Sequence, residues 1–277
     1  MNAVEIEVRR DDRLGEIFES LLATLKEFVL RHRITHDEYR RAVEFLGEVA
    51  DKDELTLLCD VFLEAAVDTV DSSQRPGTAT SVEGPYYVPE APFLHSPCVL
   101  PHRANEPGEP LLFYGTVRAT DGAPLDGAVL DVWQADATGA YSHFDIAKEK
   151  APFNLRARVV ADERGRFEIQ TWRSAPYHIP KDGPTGALLA ALGRHPFRPA
   201  HLHVKVSHPR CLSLTTQLYY EGDPYLGSDV VGAVKAPLIV RLVKHEEPAE
   251  LARLKLDRPF YGLHYDFALP LRAAKAA

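Results

Sequence analysis

Prolines occupy positions 76, 85, 89, 92, 97, 101, 107 and 110 of this chain. Proline fixes φ and has no N–H to donate, so such a stretch holds neither a helix interior nor a central strand. It is expected to be an extended, ordered connection over residues 73–110, and it divides the chain into two parts of different character. Upstream, over residues 1–72, Leu14, Ile17, Phe18, Leu21, Leu22, Leu25, Phe28 and Val29 recur at three- and four-residue intervals, the stripe of an amphipathic helix. Thr35 with Glu38 three residues on forms a capping box that opens a second helix through Tyr39, Val43, Phe45 and Leu46. A third is expected from Asp53 to Val70, and its broad apolar face (Leu55, Leu57, Leu58, Val61, Phe62, Leu63) calls for burial on more than one side. Faces of this kind pack as core or against another subunit, so dimerisation through these helices is expected.

Downstream, over residues 111–277, the periodicity changes to two. Short alternating runs occur at Leu111–Ala119, Ala128–Trp133, Arg156–Val160, Arg166–Thr171, His201–Val206 and Leu214–Tyr220, separated by turn signals such as Asp121-Gly122 and Glu163-Arg164-Gly165. Many short strands at this spacing argue for a sandwich or barrel. The expected fold class is α+β, an antiparallel β-sandwich core with an all-helical N-terminal dimerisation region. Short helices are expected within Gly183–Leu192 and Pro248–Leu254.

The 277 residues carry a net charge of −8 and no Lys/Arg-rich run, which argues against a nucleic-acid surface. The stretch Met1–Arg13 is dense in charge and lacks the apolar segment of a signal peptide, and no later stretch reaches the ~18 apolar residues of a membrane span. Cys59, Cys98 and Cys211 are odd in number and form no CxxC pair, so no disulfide framework is implied. A cytoplasmic protein with small-molecule partners is expected.

Chemistry is suggested by a few residues. His201-Leu202-His203 lies in an alternating run, so both histidines share one strand face and can hold one ion between them. Tyr141 ends the turn Asp136–Ala140, and Pro176 and Pro180 fix a bend around Tyr177. Arg198 precedes the histidine strand, and Gln217 needs a partner if buried. Each has an ordinary reading when taken singly: a polar strand face, packed turn tyrosines, a solvated arginine.

Taken together, Gly84-Pro85-Tyr86-Tyr87, Asp131-Val132-Trp133, Gly139-Ala140-Tyr141-Ser142, Pro176-Tyr177-His178-Ile179-Pro180, Gly193-Arg194-His195, Arg198-Pro199-Ala200-His201-Leu202-His203 and Thr215-Thr216-Gln217 resemble the intradiol ring-cleaving catechol dioxygenases in order and spacing. The resemblance runs from about Asp53 to Val240, and the helical N-terminus fits that family's dimerisation and lipid-holding region. It implies a non-haem Fe(III) ion held by Tyr141, Tyr177, His201 and His203. Such a donor set suits that ion: a free phenol has a pKa near ~10 and gives up its proton at neutral pH only to a strong Lewis acid. Zinc sites mostly use His, Cys and carboxylate instead.

By the same resemblance Tyr177 is both ligand and base, Arg198 and Gln217 steady charge on the substrate, and Leu57, Asp60, Val61, Val82, Gly84, Pro85, Tyr86 and Ile179 surround the ring. The implied partners are a catechol and O2, converted to a cis,cis-muconate, with a homodimer that holds phospholipid between its N-terminal helices. Asp60 and Tyr86 look more like the chlorocatechol or hydroxyquinol enzymes, and Tyr141-Ser142 suits catechol and chlorocatechol enzymes. Catechol and its chloro or methyl derivatives are therefore expected, with hydroxyquinol as the alternative. Two other classes stay open: a zinc hydrolase on His201 and His203 with a carboxylate as third ligand, and a non-catalytic β-sandwich binding module.

Overall fold

A computed structural model describes residues 12–146 and 151–273, so most of the charged Met1–Arg13 stretch lies outside the described residues. The chain divides into two compact units, residues 1–52 and 53–277. In the first unit, α1 (Asp12–His32) and α2 (His36–Asp51) are the two helices that the apolar spacing predicted. Both halves of the capping box form: the Glu38 N–H donates to Thr35 Oγ1 at 3.3 Å, and the Thr35 N–H donates to Glu38 Oε2 at 2.8 Å. Such a box satisfies N–H groups that the first helical turn leaves without partners. Most of the α1 stripe is exposed. Leu14, Ile17, Phe18, Leu21, Leu25, Phe28 and Val29 stay 42% to 63% exposed.

The second unit opens with the helix expected over Asp53–Val70, which is present but not continuous. It runs as α3 (Leu55–Cys59), one π turn (Asp60–Glu64) and α4 (Ala65–Ser73). A π turn takes one residue more than an α turn, and a broad apolar face is compatible with either, so the spacing does not reveal the interruption. The proline-rich connection also holds two short strands, β1 (Phe93–His95) and β2 (Cys98–Val99). Both lie at sheet edges, where proline is tolerated.

The long strands fall where alternation placed them: β3 (Pro110–Ala119), β4 (Val129–Gln134), β5 (Arg156–Val160) and β6 (Arg166–Trp172). The ribbon β7 (Tyr177–His178) and β8 (Phe197–Arg198) brackets α5 (Pro184–Ala191), and β9 (His201–Ser207) and β10 (Leu214–Tyr220) follow. After them come β11 (Ile239–Val240), β12 (Val243–His245), α6 (Pro248–Leu254), β13 (Phe260–His264) and β14 (Phe267–Leu269). One sheet has the order β1-β5-β4-β9-β10-β11 and the other β12-β13-β3-β6-β2, with β14 also on β3. Pairing is antiparallel between β3 and β6 and through β5-β4-β9-β10. β1, β2, β11, β13 and β14 join in parallel, so the sheets are mixed. Strands of two or three residues are too short for periodicity to register.

Alternation along β9 builds the site. Leu202, Val204 and Val206 enter the main core together with Leu130, Val132 and Leu218, while His201 and His203 take the other face. Register sets His203 between Trp133 of β4 and Gln217 of β10, with Tyr219 beside His201. A second, smaller core gathers on this outer face from Val61, Trp133, Tyr141, Tyr177, Ile179 and Val230.

Candidate metal centre and ring pocket

Four side chains remote in sequence converge on one buried point. His201 Nε2 lies 3.0 Å from His203 Nε2, and Tyr141 Oη lies 3.2 Å from the latter. The Tyr177 ring stands 5.2 Å from that of Tyr141 and 5.6 Å from that of His201, centroid to centroid. Each of the four residues is buried. The His201 Nδ1–H donates to the Pro199 carbonyl at 2.7 Å, which leaves the lone pair on Nε2. His203 stacks on Trp133 with centroids 4.6 Å apart and 10° between the planes, and its Nδ1 is buried without a hydrogen-bond partner.

Burial, then the nearby Arg198 charge, hold His201 down at about 3. Burial and its histidine neighbour push His203 well below the ordinary value. Both rings are therefore neutral and free to donate to a metal. Burial raises both tyrosines, with Tyr177 adding to the effect on Tyr141, so neither phenol ionises unless a cation compensates it. The two Nε2 atoms, 3.0 Å apart, are close enough to donate to one shared ion. The donor set fits a hard, highly charged metal ion.

Local sequence accounts for where the tyrosines sit. Asp136 Oδ1 accepts from the Thr138 N–H at 2.7 Å and the Ala140 N–H at 3.1 Å, closing the turn before Tyr141. Arg103 anchors the other oxygen at 2.6 Å. Gly139 in that turn has φ +85°, and a Cβ there would stand 3.0 Å from Tyr177 Cβ and 3.1 Å from the Pro176 carbonyl oxygen, so the two tyrosine loops approach as closely as they do because the residue is glycine. Behind Tyr141, the buried Arg156 donates to Ser142 Oγ at 2.7 Å and to the Tyr86 carbonyl at 2.6 Å. Tyr86 in turn stacks on Tyr141 with centroids 4.5 Å apart.

Arg198 is fully enclosed. Its Nη2 donates to Gln217 Oε1 at 2.8 Å and its Nε to Asp229 Oδ1 at 3.1 Å. Burial works against the charge, but Asp229, Tyr177 and Tyr219 together outweigh it and hold the guanidinium ionised; burial also opposes the charge on Asp229, yet Arg198 holds its carboxyl below the usual range. Gln217 Oε1 also accepts from the Tyr219 hydroxyl at 2.8 Å, and its Nε2 donates to the Val82 carbonyl at 2.6 Å. Gln217 thus has the buried partners its sequence context demanded. Asp229 and Tyr219 were missed by the sequence reading. Tyr219 was signalled by sitting two residues after Gln217 on one strand, whereas nothing in the loop sequence points from Asp229 to Arg198.

Beside Tyr177 and Arg198 lies a cavity lined by Leu57, Asp60, Val61, Val82, Gly84, Pro85, Tyr86 and Ile179, so all eight expected ring-pocket residues share its wall. Glu64, Pro180 and Val231 line it as well. Glu64 went unnoticed because it looked like the polar side of a helix, but burial and then Asp60 push its carboxyl up to about 7. Among the described residues no group of three His, Cys, Asp or Glu side chains is placed to hold a metal. Among those residues no carboxylate is placed with His201 and His203 as the zinc-hydrolase alternative would require.

Known proteins resemble this chain over most of its length. Residues 82–271 match the family model described as Dioxygenase, and residues 11–79 match that described as Catechol dioxygenase N terminus. A chlorocatechol 1,2-dioxygenase of Rhodococcus opacus is 41% identical over 244 residues, 87% of this chain and 95% of its own. A catechol 1,2-dioxygenase of Acinetobacter baylyi is 34% identical over 264 residues, 93% of this chain and 85% of its own. The crystal structure of a hydroxyquinol 1,2-dioxygenase of Pseudomonas putida superposes with a TM-score of 0.86 at 35% identity, covering 96% of this chain and 94% of that one.

Proposed function

This chain belongs to the intradiol ring-cleavage dioxygenases, and on that premise we propose that it opens the ring of catechol and of chloro- and methylcatechols with O2, between the two hydroxyl-bearing carbons, to give cis,cis-muconates. The observation that carries the proposal is the convergence of two buried phenols and two neutral imidazoles beside a buried arginine and a ring-lined cavity. The family uses non-haem iron; we assign a ferric ion to Tyr141, Tyr177, His201 and His203, because two phenolates and one hydroxide would balance a trivalent charge. Bound there, the ion supplies the Lewis acidity and electron withdrawal that make a chelated catecholate ring carbon reactive toward O2.

The protein's own groups do the rest. Tyr177 lines the cavity beside Arg198; it is one of the residues that would hold the ion, and its Oη would also take up a catechol proton as substrate binds. The Arg198 guanidinium steadies negative charge on the ring and its oxygenated products, and is worth most in a site from which water is excluded. Leu57, Val61, Val82, Pro85 and Ile179 hold the ring by apolar contact and keep water out.

Incubation with each catechol in air, with products identified and kcat/KM compared, tests the proposal. Muconates are expected, with catechol and chlorocatechols preferred; extradiol products or no reaction would refute the activity. The hydroxyquinol alternative is supported by the Asp60 and Glu64 carboxyls on the cavity wall, and a strong preference for hydroxyquinol would establish it over the first choice.

The assembly is proposed to be a homodimer formed through the exposed stripe of α1, with phospholipid chains against the same face. The area left to water there, from Leu14 to Val29, is the support for it. Leu21→Glu with Leu25→Glu is expected to give a folded monomer by light scattering where the parent is a dimer. A parent monomer, or a dimer that survives both changes, would contradict it. Among the described residues no helix is long and apolar enough to cross a membrane. The three unpaired cysteines support a reducing, cytoplasmic setting.

A further inference from the structure

Asp229 lies 31 residues beyond Arg198, in the loop between β10 and β11, and is buried. Its carboxylate faces the guanidinium with both oxygens: Nε donates to Oδ1 at 3.1 Å and Nη2 to Oδ2 at 3.3 Å. The same oxygens accept from the chain that follows, Oδ1 from the Val231 N–H at 3.4 Å and Oδ2 from the Ala233 N–H at 3.0 Å. Val231 lines the ring cavity. The loop is tied back to β8 where Val230 N–H donates to the Phe197 carbonyl at 3.1 Å. One carboxylate therefore fixes the arginine against a wall of the pocket.

A guanidinium has a planar fork of donors, and a carboxylate that takes two of them sets its plane. Of the remaining directions, Nη2 also reaches Gln217 and Tyr219, and Nη1 is turned toward His201 Nε2 at 3.4 Å. With Nε held and Nη2 shared among three acceptors, Nη1 is the edge left to address the reacting centre. From this arrangement we infer that Asp229 is a positioning residue of the ring-cleavage reaction, aiming Arg198 Nη1 at the charge that develops on the substrate and making no contact with the substrate itself. The inference rests on the proposed dioxygenase activity and on Arg198 serving it.

A double-mutant cycle on the iron-loaded protein separates this role from a merely structural one. Asp229→Asn, Arg198→Ala and the pair are compared with the parent for kcat on catechol, for anaerobic catechol affinity read from the visible spectrum, and for melting temperature. Asp229→Asn is expected to lower kcat by about 30-fold, less than the roughly 10²- to 10³-fold loss expected when the charge-stabilising donor itself is removed, while anaerobic affinity changes by less than about threefold. In the Arg198→Ala background the same substitution is expected to change kcat by less than about threefold, because the group it aims is gone. Losses that multiply across the cycle, or an Asp229→Asn enzyme with parental kcat, would overturn the inference.

Should Asp229→Asn fail to fold, Asp229→Glu keeps the charge and displaces it by one methylene. It is then expected to fold, bind catechol and turn over more slowly, and parental turnover would again be contrary. A parent that cleaves no catechol would instead remove the activity on which the inference rests.

Discussion

Tyr141→Phe is expected to abolish ring cleavage while leaving the apo-protein folded. The substitution removes only Oη. The ring keeps its stacking on Tyr86, at 4.5 Å between centroids, and its place in the small core around the site. What disappears is one of four donor atoms, and in the metal-free protein that atom is a desolvated phenol that lies 3.2 Å from His203 Nε2 and also meets Tyr177. Losing one such hydrogen bond changes stability by about 1 kcal/mol, and the sign is open to improvement because a buried hydroxyl no longer has to be desolvated. Activity answers differently: with a ligand gone, kcat is expected to fall roughly 10³-fold or more and iron to wash out on dialysis. Iron content, steady-state rate and melting temperature on the same sample check all three. Parental activity with a phenylalanine at 141 would take that residue out of the site.

Arg198→Ala divides the two properties in the other direction. Iron should stay, because no ligand is removed, and turnover per iron should drop roughly 10²- to 10³-fold, as expected when a preorganised charge-stabilising donor is lost from a dry site. Stability should suffer as well. Asp229 would be left as a buried carboxylate without its counter-ion, and Gln217 Oε1 would lose one donor. Breaking a buried pair from one side costs about 3–5 kcal/mol. The expected protein is thus iron-replete, less stable and nearly inactive. Unchanged steady-state rates in an iron-replete variant would refute the role assigned to Arg198.

The sequence exposes much of this site because its parts lie on regular elements. Alternation in His201–Val206 puts both histidines on one face, and the same alternation sends Leu202, Val204 and Val206 into the core. The prolines around Tyr177 and the Asp-Ala-Thr-Gly turn before Tyr141 announce fixed bends. Such local signals show where a side chain starts and not where it ends, so the meeting of Tyr141, Tyr177 and the histidines came from the family resemblance rather than from spacing.

What stayed hidden depends on tertiary contacts. Asp229 in an irregular loop resembles any turn aspartate until Arg198 is opposite it. Glu64 resembled a solvated helix residue because the π turn at Asp60–Glu64 has no period of its own to betray it. The parallel edge strands were invisible for a similar reason: β1, β2 and β11 have three residues or fewer, and their pairing is decided by the strands they join.

Two tyrosinates and two neutral histidines are proposed to hold one ferric ion beside the ring cavity, whose lining includes Tyr177. The visible spectrum of the iron-reconstituted protein, before and after catechol is added without oxygen, tests this central claim most directly. Phenolate-to-iron(III) charge transfer should colour the protein red-brown, and catechol should shift the band to longer wavelength as it joins the metal. Iron bound in equal number to the chains without that colour, or a colourless protein whose metal is zinc, would contradict the tyrosine assignment and the mechanism built on it.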